Sequence, residues 1–234
     1  MIRSDSNIYL PVSLGEAIDK LTILDIKLQK IKDSRKLDVQ KEYDLLYSKL
    51  EQFGPSPELR RSVGRSENVT KYSDLYQTMK KVNMLIWDMM DLLRDGSLPE
   101  DEYLRVCKEC IEFNDIRFRV KNKINYVSNS ELREQKSYRI NRIVIDIADE
   151  IEEVDDFILP IKYFSYIYDE IVIVSSNNKL RPEFAYDPTI LFTYSIEDDK
   201  IEYKKRFSFK YEIYNQSKIY EIFGLEYSNI QIII

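Results

Sequence analysis

The sequence predicts an α+β protein, in which a bundle of about four helices is followed by a small α/β domain. Apolar residues recur at three- and four-residue steps in the first part of the chain, which is typical of packed helices. The second part carries β-branched runs around an apolar helical stretch, the pattern of a βαβ unit. Charge changes at the same place: residues 1–138 have a net charge of +1 and residues 139–234 one of −7. We therefore predict two domains, 1–138 and 139–234.

The first domain is predicted to hold helices near residues 14–32, 36–53, 70–95 and 98–127. Ser13 with Glu16, and Ser97 with Glu100, have the spacing of a capping box, in which a hydroxyl and a carboxylate satisfy free N–H groups at a helix start. Residues 54–64, rich in Pro, Gly and Ser, predict a surface loop.

The second domain is predicted to begin with a strand over residues 143–147, a helix over 154–168 and a strand over 171–174. Parallel strands buried on both faces read as continuous β-branched runs of this kind. Residues 190–194 and 230–234 are further apolar runs with the capacity to form exposed strands.

Composition excludes several classes of function. The chain has no histidine, which removes Ser-His, Cys-His and imidazole-metal chemistry. Its five glycines are too far apart for a loop that cradles phosphate. Basic clusters are short and the pI is about 5.1, so nucleic acid is an unexpected partner. Two cysteines, no signal peptide and no long apolar run predict a cytoplasmic protein with no membrane segment, or a virion component if the source is viral.

Acidic residues offer the only candidate metal ligands. Carboxylates stand at helical i,i+3 spacing at Glu16 with Asp19, Asp88 with Asp91, and Glu112 with Asp115. Pairs of this kind hold Mg²⁺ in all-α nucleotide pyrophosphohydrolases, and Glu112 with Asp115 is the pair that we consider for it. Otherwise no cofactor is expected. Cys107 and Cys110 lack further ligands to complete a zinc site.

Seven acids within residues 146–156 fall where a βα loop meets a helix, a corner that in nucleotide-binding folds presents N–H groups to phosphate. Here the corner would repel phosphate. Favourable interaction with the helix dipole accounts for the acids, and recruitment of a divalent cation is the alternative.

Residues 11–27, PVSLGEAIDKLTILDIK, resemble the opening of an uncharacterised, mostly bacterial family described only as a domain of unknown function. Further matches follow in the same order at Lys36, Leu37, Glu42, Val82, Asn83, Trp87, Asp91, Arg94, Asn114, Asp115, Arg117, Lys121, Ile124, Asn125 and residues 134–138. The resemblance implies a compact helical domain, sometimes encoded near glycan-assembly genes, and no activity.

The matched positions are polar where a bundle needs apolar residues. We expect them to converge into one polar cluster, made of Asp19, Lys20, Asn83, Trp87, Arg94, Asn114, Asp115, Arg117, Lys136 and Tyr138. Such a cluster either fixes helix register, the interpretation that we favour, or binds a small anion through its Arg and Lys side chains.

Residues 139–220 are faintly similar to the first half of a Rossmann-type sugar-transferase domain of the heptosyltransferase-like kind, including giant-virus relatives. Residues 142–146, 157–165 and 168–174 carry the similarity. Residues 149–153 replace that family's Gly-rich turn and the second nucleotide-binding half is missing, so the resemblance implies an incomplete Rossmann-like domain.

We therefore expect an uncharacterised, non-catalytic or partner-dependent assembly module. It would bind itself, as a homo-oligomer, or a protein partner such as a glycan-pathway enzyme, through exposed strand edges. The alternatives are a degenerate nucleotide-sugar-dependent glycosyltransferase and an Mg²⁺-dependent all-α pyrophosphohydrolase.

Overall fold

The computed structural model describes residues 10–50, 67–136, 140–151, 153–185, 187–196, 202–210 and 214–234. The predicted loop at 54–64 and Tyr138 of the predicted cluster lie outside these residues. Seven helices and four strands run through the described chain, so it is a mixed α/β structure with a small parallel sheet.

The helical part contains all four predicted helices, with bounds close to those expected. They are α1 (Leu14–Lys30), α2 (Lys36–Leu50), α3 (Glu67–Asp95) and α4 (Glu100–Val127). Three of them share the core: α1 packs on α3 and α4, which pack along each other. By contrast α2 packs mainly on α1 and buries none of its residues. The bundle core is therefore a three-helix core with a fourth helix on its surface.

Only one of the two predicted capping boxes caps a helix. Half of the first box is present: Ser13 Oγ accepts a hydrogen bond from the Glu16 N–H at 3.1 Å, while the Glu16 carboxylate contacts Lys121. The second prediction was wrong, because α4 begins after Pro99, and Ser97 Oγ donates instead to Asp95 Oδ2 at 2.5 Å. Pro99 lies at the boundary because its fixed φ suits a helix start.

The α/β part begins with the predicted strand, helix and strand. These are β1 (Arg142–Ile147), α5 (Ile158–Ile167) and β2 (Glu170–Val174), followed by β3 (Ile190–Thr193), β4 (Lys205–Phe209), α6 (Gln216–Phe223) and α7 (Tyr227–Ile233). All strand pairs are parallel, in the order β3-β2-β1-β4. The described sheet therefore has β3 at one edge and β4 at the other.

Helices cover one face of the sheet. Ile143, Ile145, Ile171 and Ile173 point to that face and form a fully buried core with Phe157. Phe164, Phe207, Phe209 and Phe223 complete it with ring centroids 4.9 to 5.8 Å apart. Aromatic rings that pack edge to face add stability beyond the area they bury. The prediction of a strand over residues 230–234 was wrong, because these residues belong to α7 and its end. Ile230 and Ile233 of this helix are buried.

The helical and α/β parts share a core. Tyr166 of α5 and Ile233 of α7 pack with Met79, Val120 and Ile124 of the bundle. The division at residue 138 stays a prediction, and the packing shows that side chains cross it. No helix of the described residues is long and apolar enough to cross a membrane.

Candidate functional site

Three of the predicted cluster residues converge between α1, α3 and α4. Asp19 is 1% exposed. Its carboxylate accepts two hydrogen bonds from Arg117 Nε at 2.9 and 3.0 Å and a third from Arg117 Nη2 at 2.6 Å. Asn83 Nδ2 donates to the same carboxylate at 2.7 Å and to Thr22 Oγ1 at 2.9 Å. Asp19 of α1 and Arg117 of α4 thus form a bidentate ion pair, and Asn83 of α3 donates a further hydrogen bond to it.

A second ion cluster continues this network along α4. Lys121 Nζ donates to Glu16 Oε2 at 3.0 Å and forms a salt bridge with Glu134. One turn further, Asn125 Oδ1 accepts a hydrogen bond from the Gly15 N–H at 2.7 Å. We call this row of side chains the polar seam; it consists of Gly15, Glu16, Asp19, Thr22, Asn83, Arg117, Lys121, Asn125 and Glu134.

Electrostatics in the polar seam favours charged side chains. Burial opposes the charge on Arg117, but hydrogen bonds and attraction from Asp19 outweigh it, so the pKa of Arg117 is raised. Burial acts the same way on Lys121, and Glu134 with Glu16 more than compensate, so its pKa is raised too. Both cations are therefore committed to carboxylates of the protein itself.

Close approach of two helices accompanies these bonds. A Cβ at Gly15 would lie 2.4 Å from the Lys121 carbonyl oxygen and 2.7 Å from Asn125 Oδ1. Glycine is thus required where the start of α1 touches α4. Asn125 Nδ2, in the seam, and Trp87 Nε1, outside it, are buried without a hydrogen-bond partner.

The other predicted cluster residues do not join the seam. Lys20 is exposed and pairs with Glu42 of α2 at 2.7 Å. Arg94 pairs with Asp91 on its own helix at 3.7 Å. Asn114 Nδ2 donates to the Cys110 carbonyl at 2.9 Å. The remaining positions are the half-buried Trp87 of α3 and the pair of Asp115 with Lys136, at 2.6 Å.

Each predicted carboxylate pair has at least one member in an ion pair with Lys or Arg. Asp115 contacts Lys136, whose Nζ also lies 4.5 Å from the centre of the Phe118 ring, and Glu112 is exposed. Asp88 pairs with Lys30 at 2.7 Å. Within the described ranges, no group of three Asp, Glu or Cys side chains is arranged to hold a metal ion. Cys107 and Cys110 are free thiols on α4.

At the carboxyl end of the sheet, Asp149, which follows β1, contacts the turn that follows β2. Its Oδ1 accepts from the Ser176 N–H at 2.8 Å, and Ser175 Oγ lies 3.5 Å away. The hydrogen bonds from Ser176 lower the pKa of Asp149. Nearby, Asp146 accepts from Arg206 Nε at 2.7 Å and Ser208 Oγ at 3.0 Å. The Ser176 N–H, Arg206 Nε and Ser208 Oγ therefore donate to the protein's own carboxylates.

A buried ion pair joins α4 to the α/β part, and we call it the junction cluster. Lys123 Nζ donates to Asp187 Oδ2 at 2.5 Å, to Ser165 Oγ at 3.1 Å and to Thr189 Oγ1 at 3.2 Å. Burial acts to raise the pKa of Asp187, but Lys123 and the Thr189 hydrogen bonds outweigh it, and the pKa is lowered. In the same way Arg119 Nε reaches Asp169 Oδ1 at 2.8 Å.

Beside the junction cluster, an open groove of about 400 Å³ is lined in part by β3, which has β2 as its only strand neighbour among the described residues. We call it the β3 groove; it is lined by Tyr126, Arg181, Phe184, Asp187, Pro188 and residues 190–192. The Arg181 guanidinium lies over the Phe192 and Tyr194 rings, 5.2 and 5.7 Å from their centres. Arg181 Nε is buried without a hydrogen-bond partner, and no carboxylate of the described residues pairs with this side chain.

The sequence interpretation missed most members of the seam, the junction cluster and the β3 groove. For the seam a signal existed, because Gly15, Glu16, Thr22, Lys121, Asn125 and Glu134 all fall on the matched residues. Lys123 and Asp187 are 64 residues apart and carry no local pattern. Arg181 lies between two short 3₁₀ turns, Asn178–Leu180 and Pro182–Phe184, where spacing gives no indication of what it contacts.

Comparison with other proteins adds no assignment. No protein-family model matches the chain, and neither curated proteins nor solved structures give a significant match. The functional conclusions below therefore depend on the geometry of this chain.

Proposed function

We propose that this chain is a protein-binding assembly module and not a nucleotide-dependent enzyme. The observation that carries the proposal is the Asp149 carboxylate on the Ser176 N–H. In open parallel sheets, ligands bind outside the carboxyl ends of the strands, and phosphates take free N–H groups there. A phosphate entering this corner would have to displace a carboxylate and would meet its negative charge.

The strand order of the sheet supports descent from a nucleotide-binding fold that no longer binds a nucleotide. We propose that the sheet is related to the first half of a doubly wound Rossmann domain, because the order β3-β2-β1-β4 with all strands parallel is compatible with that fold. This relationship also favours the second candidate, a degenerate sugar transferase, whose donor would bind at this same corner.

The helical part supports a scaffold role in the same way. The candidate cations Arg117 and Lys121 are saturated by Asp19, Glu16 and Glu134. Asp115, the candidate Mg²⁺ ligand, contacts Lys136. These pairs favour the register-fixing role of the polar seam over anion binding and pyrophosphate hydrolysis. The resemblance of residues 9–138 makes a glycan-pathway enzyme the first partner to test, beside a second copy of the chain.

Thermal unfolding of the full chain with nucleoside triphosphates and nucleotide sugars, with and without Mg²⁺ or Mn²⁺, tests the proposal. A ligand at 100 times its Kd stabilises the folded state by roughly 2.7 kcal/mol, which moves the midpoint by several degrees. We expect no such shift for the wild type. A metal-dependent shift with a nucleotide sugar would overturn the assembly role in favour of the transferase.

A variant pair tests the physical reason. Asp149→Ala frees the Ser176 N–H, and we expect it to gain a measurable shift with nucleotide sugars that the wild type lacks. Glu150→Ala is the matched control, because it removes the adjacent exposed carboxylate with the same change in charge. An equal gain in both variants would show that net charge, and not the Asp149 hydrogen bond, excludes phosphate.

A further inference from the structure

We propose that the β3 groove binds an extended peptide segment of a partner protein, which adds to the sheet as a strand beside β3 and places a carboxylate on Arg181. The inference rests on the proposed function, since it names the site and the partner chemistry of the assembly module. Its three supports are the backbone of β3, the unpaired guanidinium and the shape of the groove.

The backbone of β3 presents hydrogen-bonding groups away from the sheet. The Thr189 carbonyl accepts from the Ile171 N–H of β2 at 2.7 Å, and the Thr193 carbonyl accepts at 3.0 Å from the N–H of Ser175, which follows β2. Because successive residues of a strand point their N–H and C=O groups to opposite sides, those of Phe192 point away from β2. Within the described residues β2 is the only strand beside β3. An added strand satisfies these groups, as in other cases of β-strand addition.

Arg181 supplies the charge preference. Its guanidinium stacks over Phe192 and Tyr194, whose side chains lie on the same face of β3. Its Nε is buried and has no hydrogen-bond acceptor, and none of the salt bridges of the described residues involves this side chain. A carboxylate accepts the fork of N–H donors that guanidinium offers, and such charge-assisted bonds are the strong ones. One side chain of an added strand, on the face of Phe192, comes within reach of it.

The groove favours a peptide over a second copy of this chain. It is lined by residues 190–192 together with Tyr126 of α4 and Phe184, so a strand added beside β3 would have both of these rings within reach. Leu191, 45% exposed on the opposite face, offers an apolar contact for alternate residues of that strand. A symmetric β3 pair would bring two unpaired Arg181 cations toward each other, whereas an acidic peptide neutralises the charge.

The test uses fluorescence anisotropy with the full chain and labelled eight-residue peptides that alternate valine and serine. One glutamate replaces each residue in turn, and matched peptides carry glutamine in its place. We expect glutamate at one preferred position to improve affinity roughly tenfold, the worth of one charge-assisted bond. N-methylation of the peptide's alternate N–H groups is expected to cost a further tenfold or more.

Protein variants assign the effect to Arg181. In Arg181→Gln the preference for glutamate should fall below about twofold, while Lys108→Gln, the same charge change on an exposed residue of α4, should keep it. Circular dichroism of each variant checks that it is folded.

Four results would overturn the inference: no saturable binding up to 1 mM peptide, equal affinity for glutamate and glutamine peptides, indifference to N-methylation, or equal competition by free acetate. A self-association in sedimentation that Arg181→Gln abolishes would assign the groove to a second copy instead. These failures are separate from the nucleotide result, which alone decides against the assembly role.

Discussion

The polar seam and the β3 groove both contain cationic side chains, but the cations of the seam are paired with carboxylates and that of the groove is not. In the seam, Arg117 and Lys121 each contact a carboxylate, and Asp19 is almost fully buried. In the groove, Arg181 stacks on aromatic rings and contacts no carboxylate of the described chain. A buried charge that is paired holds elements in register, whereas an unpaired one at an open edge is available to a ligand. The contrast predicts that the seam governs stability and the groove governs binding.

The largest effect is expected when Asp19, at the centre of the polar seam, is replaced. Asp19→Ala is expected to lower the free energy of unfolding by about 3 to 5 kcal/mol, because it leaves the Arg117 guanidinium without its carboxylate in a largely buried place. Urea unfolding followed by circular dichroism measures it. Asp88→Ala is the control: its pair with Lys30 is about half exposed, and such pairs contribute less than about 1 kcal/mol. Equal losses in the two variants would contradict a structural role for the seam.

A second change tests the charge on Asp187, which belongs to the junction cluster and also lines the β3 groove. Asp187→Asn keeps an acceptor for Lys123 but removes the charge, which is expected to cost about 2 kcal/mol near neutral pH. Since the folded-state pKa of Asp187 is lowered from 3.8, the wild type holds this stability above pH 4 and loses it as the pH falls through the lowered value.

Unfolding midpoints of wild type and variant between pH 7 and pH 2 check the prediction. The gap between the two should narrow below pH 4, while Asp44→Asn, on an exposed residue of α2, should show no such narrowing. A difference between the two unfolding midpoints that does not change with pH would show that the shape of the Asp187 side chain, and not its charge, stabilises the fold.

The third change tests the close helix contact at one end of the seam. Gly15→Ala puts a methyl group 2.4 Å from the Lys121 carbonyl, so α1 must shift and stretch the bond between the Gly15 N–H and Asn125. We expect a loss of about 1 to 3 kcal/mol, the usual cost of overpacking. Gln29→Ala, at an exposed position of the same helix, is expected to be neutral or slightly stabilising, since alanine favours helix. Stabilisation by Gly15→Ala would refute the contact.

Local patterns of the sequence predicted the elements, and long-range contacts explain what they missed. The helix periodicity and the Ser13 cap placed α1, and the β-branched runs placed β1 and β2. Residues 230–234 read equally well as a strand or a buried helix end, because five apolar residues carry no period. Asp19, Asn83 and Arg117 could be grouped because polar residues at core positions are conspicuous. Arg181 could not be predicted as a binding residue, because it lies beside β3 only in the folded chain.

The smallest expected effect is also the sharpest test of the difference between the two regions. Arg181→Ala removes the contacts of a half-buried side chain to the Phe192 and Tyr194 rings, which contribute about 0.5 to 1 kcal/mol where the cation is not fully desolvated. Its midpoint in urea should therefore stay close to that of the wild type. A loss of 2 kcal/mol or more in the free energy of unfolding would mean that Arg181 stabilises the fold as the seam residues do. That result would argue against the β3 groove as a binding site. A near-neutral change together with loss of peptide binding would separate the two roles, because a residue whose removal leaves the fold intact but ends recognition acts on the ligand.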